Sequence, residues 1–143
     1  MDPYHGKPFP VPQILMDVLK QEVLRLVELG VLVRQPESEW GLPKFIMPKK
    51  NMKVRLISDF IEVNKQLKQK PFPIPKISDI LQKLWGLQFA TTLDLNMGYY
   101  TIRLDTTAYR ICTIVLPWGK YSYLRLPMVI AGSPDIFRRR CQV

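Results

Sequence analysis

Asp94 closes the apolar run Phe89-Ala90-Thr91-Thr92-Leu93 and is followed by Leu95-Asn96-Met97-Gly98-Tyr99-Tyr100, a glycine-containing bend with paired aromatics. A carboxylate at the end of an apolar strand is where a metal-dependent nucleotidyl transferase would hold its catalytic ion. Two-metal phosphoryl transfer stabilises the attacking and the leaving oxygen together, so such a site needs at least one further carboxylate aimed at the same point. A second chemically loaded stretch is Lys49-Lys50-Asn51-Met52-Lys53, with Arg55 just beyond it.

Composition narrows the partners. The 143 residues suit one domain with a real core, and 47% hydrophobic with 23% charged residues reads as soluble and globular. Twenty-one Lys and Arg against 12 Asp and Glu leave a net charge of +9, which favours a polyanion such as nucleic acid or nucleotide phosphate. An anionic membrane surface is the alternative polyanion, but the expectation is no membrane partner. No apolar stretch reaches the roughly 20 residues of a spanning helix, and the start lacks the pattern of a signal peptide, so a cytoplasmic or nuclear rather than secreted protein is expected. Cys112 and Cys141 are widely separated and the chain has one His, which supports neither a zinc site nor a disulfide framework. Both thiols are expected reduced, Cys112 packed in a strand.

The elements that must position these groups follow from periodicity and punctuation. Pro3, Pro8, Pro10 and Pro12 make residues 1–13 an extended arm. Val18, Leu19, Val23, Leu26 and Val27 recur at helical spacing up to a stop at Gly30, giving a scaffold helix with Lys20, Glu22 and Arg25 turned to solvent. Val31 to Val33 starts an extended piece, and the strands Phe45 to Met47 and Val54 to Ile57 enclose the basic run as a hairpin. Residues 61–69 read as helix or turn, and Pro71, Pro73 and Pro75 as a stiff connector. Ser78 is expected to cap a short helix from Asp79 to Trp85 that ends at Gly86. Phe89 to Leu95 and Ile111 to Leu116 read as strands, Tyr99 to Leu104 alternates, and Pro117 to Lys120 turns the chain into Tyr121 to Leu126. Ser133-Pro134 is expected to cap and open a further helix. This mixture predicts an α+β fold.

Several separated blocks then carry a resemblance: Ser38-Glu39-Trp40-Gly41, Phe45 to Lys50, Val54 to Phe60, Asn64-Lys65, Pro73 to Lys76, Leu93-Asp94-Leu95 and Leu126-Pro127-Met128. In that order they resemble the reverse transcriptase of gypsy-type LTR retrotransposons, from about Lys7 to about Arg138. The resemblance implies the fingers and an incomplete palm of a right-hand polymerase, with antiparallel hairpins and flanking helices. Its divisions would be an arm at 1–13, a fingers-like region at 14–88 and a partial palm at 89–143, ahead of the Tyr-x-Asp-Asp block.

The same resemblance assigns roles. Asp94 would be the first catalytic carboxylate and a ligand of Mg²⁺, the expected cofactor of the complete polymerase. Arg55 and one of Lys49 or Lys50 would bracket an incoming triphosphate, Arg through a planar fork suited to phosphate and Lys as a compact charge. Tyr99 would lie under the sugar and reject a 2′-hydroxyl sterically, and Met128 would face the nucleotide. Lys53, Lys65, Lys68, Lys70 and Lys76, with Lys44, would follow a template path whose affinity falls with salt. Asp59 reads as a structural polar group and Asp105 as a solvent-side turn. Val129 and Gly132 stand where the family has Gly and Asn.

The expected function is therefore that of a piece of an RNA-directed DNA polymerase, a nucleotidyltransferase. It would bind RNA or DNA template-primer and deoxynucleoside triphosphate, without polymerase activity as an isolated chain. The alternative is a non-catalytic nucleic-acid-binding module derived from a retrotransposon. A third expectation is self-association, or pairing with a complementing palm fragment, through unpaired apolar surface.

Overall fold

The computed structural model describes residues 1–68, 73–91 and 93–141. Helix α1 (Gln13–Glu28) buries Leu19, Val23 and Leu26, the stripe that its 3–4 spacing dictates. It stops because Gly30 adopts φ +68°, a left-handed conformation that glycine enters without a Cβ penalty.

Strands β1 (Leu32–Arg34), β4 (Thr113–Leu116) and β5 (Gly119–Tyr123) form an antiparallel sheet in the order β1-β5-β4. Ser122 stands opposite both Val33 and Thr113, so β5 is central. Strands β2 (Lys44–Pro48) and β3 (Val54–Ser58) make the expected basic hairpin, with Met47 opposite Arg55. A bridge from Leu42 to Ile114 ties this hairpin to the three-stranded sheet. The N-terminal arm is held at the same place: Gly6 donates to the Gly41 carbonyl at 2.8 Å, and Gly41 to that of Tyr4 at 2.9 Å. A Cβ on Gly41 would lie 2.6 Å from the His5 ring, so this approach requires glycine.

Between α1 and the strands lies one core, containing Leu19, Val23, Leu42, Phe60, Ile114 and Tyr123. Within it the hydroxyls of Ser58 and Tyr123 satisfy each other at 2.9 Å. Helix α2 (Ile61–Gln66) contributes Val63, and its start is fixed by Asp59, whose carboxylate accepts from the Ile61 amide at 2.9 Å.

Several sequence expectations are corrected. Helix α3 spans Ile77–Lys83 and has no side-chain cap; Ser78 lies inside it and donates to Asp79. Residues Thr106–Ile111 form an unanticipated helix α4, and Asp105 is its N-cap, accepting from the Ala108 amide at 2.7 Å. Helix α5 (Ser133–Cys141) begins at Ser133 as expected, and the Ser133 hydroxyl donates to the Pro127 carbonyl at 2.6 Å. Gly98–Thr101 is a short 3-10 turn, after which Ile102 and Leu104 exchange backbone hydrogen bonds with Leu126 and Leu124.

Among the described residues of Phe89 to Leu95, none lies in a strand. Apolar side chains there stay in solvent, Phe89 at 87% and Leu93 at 84% exposure. A strand needs a ladder partner, and no neighbouring strand among the described residues supplies one. Lys44 departs in the opposite sense: it is fully buried, and its ammonium has no hydrogen-bond partner. It is therefore no part of an exposed template path. Lys70 and Pro71 lie outside the described residues. Among those described, no helix is long and apolar enough to cross a membrane.

Candidate nucleotide-binding site

A cavity of about 610 Å³ opens between α1, the basic hairpin and the 3-10 turn. The hairpin contributes Lys49, Lys53 and Arg55, the turn contributes Tyr99 and Tyr100, and Met128 closes one side. Each is placed by local chemistry. The Lys49 amide donates to the Lys53 carbonyl at 2.7 Å, and Met52 takes the left-handed conformation the tight turn demands. Gly98 allows the turn to lie against α5: a Cβ there would come within 2.9 Å of the Phe137 ring. The Tyr99 ring sits 5.1 Å from that of Phe137, so it is anchored on one side and lines the cavity on the other.

The loop carrying Met128 is clamped from α2. Asn64 donates through Nδ2 to the Val129 carbonyl at 3.1 Å and accepts at Oδ1 from the Ala131 amide at 2.9 Å. The branched side chain of Val129 points outward and is exposed.

Of the residues assigned from sequence to the nucleotide, Lys49, Arg55, Tyr99 and Met128 line the cavity, and Lys50 does not. Lys53, assigned to the template path, joins them. Lys65 is ion-paired to Glu62 at 2.7 Å, which raises its pKa through that hydrogen bond. Lys68 borders a second, apolar cavity of about 290 Å³ between α2, α4 and α5. Lys76 is exposed just before α3.

Asp94 is exposed and outside the cavity wall, although Asn96, two residues on, is part of it. Among the described residues no group of three or more His, Cys, Asp or Glu side chains could hold a metal ion. Asp94 alone does not suit a pair of Mg²⁺ ions, which require several carboxylates to offset their charge.

Sequence reasoning missed the contribution of α1. Its Gln21, Glu22 and Arg25 line the cavity, Gln21 and Arg25 exposed as the helical spacing implies and Glu22 half-buried. Tyr100 registers their presence: burial raises its hydroxyl pKa, Glu22 adds to the rise, and Arg25 and Arg55 oppose it. Helical spacing put Glu22 and Arg25 on the polar face, but no local signal said what that face meets. The tryptophans divide: Trp40 is buried, Trp118 lies under the Lys20 ammonium at 5.9 Å, and Trp85 is exposed.

No family model matches the chain. The fold is that of reverse transcriptases: the crystal structure of a prototype foamy virus protease-reverse transcriptase mutant superposes with a TM-score of 0.84 and 25% identity, over 98% of this chain and 19% of that one. A foamy viral protease-reverse transcriptase in complex with RNA/DNA hybrid gives a TM-score of 0.78 at 20% identity, over 98% and 19%. In sequence, the chain is 30% identical over 144 residues to the retrovirus-related Pol polyprotein from transposon gypsy of Drosophila melanogaster, covering 96% of this chain and 14% of that protein. The corresponding polyprotein from transposon 412 of the same organism is 29% identical, over 96% and 12%. The chain is thus reverse-transcriptase-like and related to the Pol polyproteins of gypsy-type retrotransposons. It spans 12–14% of the length of these relatives.

Proposed function

We propose that this chain is a nucleotide- and nucleic-acid-binding unit of the reverse-transcriptase type. It takes a deoxynucleoside triphosphate in the cavity and a template-primer along its basic surface. The observation that carries the reading is convergence: Lys49, Arg55, Tyr99 and Met128, from three separated segments, line one cavity. The Arg55 fork and the Lys49 ammonium suit the phosphates, and the Tyr99 ring, held by Phe137, suits the sugar. The net charge of +9 and the nucleic-acid complexes formed by the foamy viral neighbours support a template-primer partner. In this reading residues 1–13 are an arm, 14–88 the fingers-like part and 89–143 the partial palm.

Asp94 would serve as one ligand of a divalent ion only alongside other carboxylates, so the proposed activity of the 143-residue chain is binding without turnover. A second reading, a non-catalytic nucleic-acid module, is favoured by that isolation of Asp94 among the described acids. One experiment separates them. Titration of fluorescent deoxynucleoside triphosphate and of labelled RNA/DNA hybrid into the purified chain is expected to show saturable binding of both. Arg55→Gln should weaken the nucleotide by about tenfold or more, as loss of a charge-assisted phosphate contact does. Binding of the hybrid alone selects the second reading, and salt-independent or absent binding of both ligands overturns both.

A further inference from the structure

Four cations line the cavity, Arg25, Lys49, Lys53 and Arg55, against a single acid, Glu22. Arg25 is already occupied. Its Nε and a terminal nitrogen donate to the two carboxylate oxygens of Glu22 at 2.9 and 2.8 Å, a two-pronged pair along one helix face. The Glu22 side chain is 23% exposed and that of Arg25 49%, so the carboxylate is the more enclosed partner while the guanidinium keeps an open side. Solvent-exposed pairs three residues apart on a helix are weak, and the guanidinium fork fits phosphate as well as carboxylate.

We propose that the Glu22–Arg25 pair is an exchangeable anion clamp: an entering polyphosphate takes Arg25 from Glu22, making Arg25 an additional phosphate-binding cation while Glu22 limits affinity by competing for it. The cavity wall thereby carries its own anion beside the cations proposed to take phosphate. Tyr100 supports the placement, since its hydroxyl feels the charges of Glu22, Arg25 and Arg55 together. This inference rests on the reading of the cavity as a polyphosphate site.

The test is calorimetric titration of the full chain with inorganic tripolyphosphate at fixed ionic strength. Glu22→Gln is expected to tighten binding about three- to fivefold, the effect of removing one weakly screened competing charge. Arg25→Gln should weaken it by about tenfold or more, and Arg25→Lys should restore part of the loss as a point charge without a fork. Thermal melts of each variant confirm that the chain is folded. If Arg55→Gln weakens binding while the Glu22 and Arg25 variants match the parent chain, the clamp is wrong and the cavity reading stands. Unchanged affinity in Glu22→Gln alone overturns the exchange. No binding by the parent chain, or indifference to Arg55 as well, overturns both.

Discussion

Asn64 on α2 holds Val129 by its carbonyl, 65 residues away in sequence, and with the same amide group accepts from Ala131. This fork fixes the loop that presents Met128 to the cavity. Replacing Asn64 by Ala removes both bonds and is expected to cost about 1–2 kcal/mol, since each partly exposed hydrogen bond contributes modestly. Urea denaturation measures this, and an unchanged midpoint would show that the loop is held by other contacts.

Lys44 is buried in the hairpin without a hydrogen-bond partner for its ammonium. Burial lowers its pKa from 10.5, and no partner offsets the desolvation of its ammonium. Lys44→Met keeps the length and removes the charge, so it should raise stability by about 1–3 kcal/mol. A lower melting temperature in that variant would refute this assignment.

Alkaline pH acts on the core in two directions. Burial pushes the Cys112 thiol from 9.0 up to about 12 and raises the Tyr123 hydroxyl as well. An acid whose folded pKa is raised gives stability that is full below its unfolded pKa and lost as pH climbs towards the folded one. Between pH 9 and about 12, Cys112 should therefore contribute a loss approaching 1.4 kcal/mol per pH unit. Lys44 works oppositely, since its lowered pKa makes the folded state gain stability as pH rises through the window below 10.5. Cys112→Ala should flatten the alkaline decline in a pH series of denaturation curves, and an unchanged slope would contradict it.

The two thiols should also separate chemically. Cys141 is exposed and Cys112 buried, so a thiol reagent at neutral pH should modify one sulfur quickly and the second only on unfolding. Mass spectrometry of the labelled protein reads this directly. Prompt double labelling would mean that Cys112 is reachable in the folded state.

Gly98 is where the turn meets α5. Gly98→Ala sets a methyl 2.9 Å from the Phe137 ring and 3.3 Å from Leu95. Overpacking of this kind costs about 1–3 kcal/mol, and it should displace the neighbouring Tyr99. A thermal melt and nucleotide titration of the same variant are expected to fall together.

How much of this was readable from sequence depended on whether the signal was local. The buried stripe of α1 and its glycine stop were legible because they repeat along one helix. The basic hairpin was legible because its turn chemistry and strand composition adjoin. Helix α4 was not, since its last residue, Ile111, reads with the apolar residues after it as the start of a strand; the Asp105 cap was the overlooked cue. Phe89 to Leu95 has strand composition, yet composition cannot supply a neighbour to pair with. The cavity itself was invisible as a cavity, because Arg25, Arg55, Tyr99 and Met128 meet only through tertiary packing. Lys44 shows the limit from the other side: a lysine in a basic protein reads as surface, and only the face that β2 turns inward decides otherwise.

The apolar side chains left in solvent from Ile74 to Leu95, with Trp85 at 92% exposure, give salt two opposed roles in this protein. At low ionic strength the net charge of +9 makes copies repel one another, a colloidal protection that leaves the apolar band unvisited. At about 0.15 M salt the screening length falls to about 8 Å, so the repulsion no longer outreaches contact. On the proposed function, the ions that would release a polyanion from the lysines also bring the apolar side chains of neighbouring molecules within range, so the low-salt buffer that favours the proposed nucleic-acid capture is also the one that keeps copies apart.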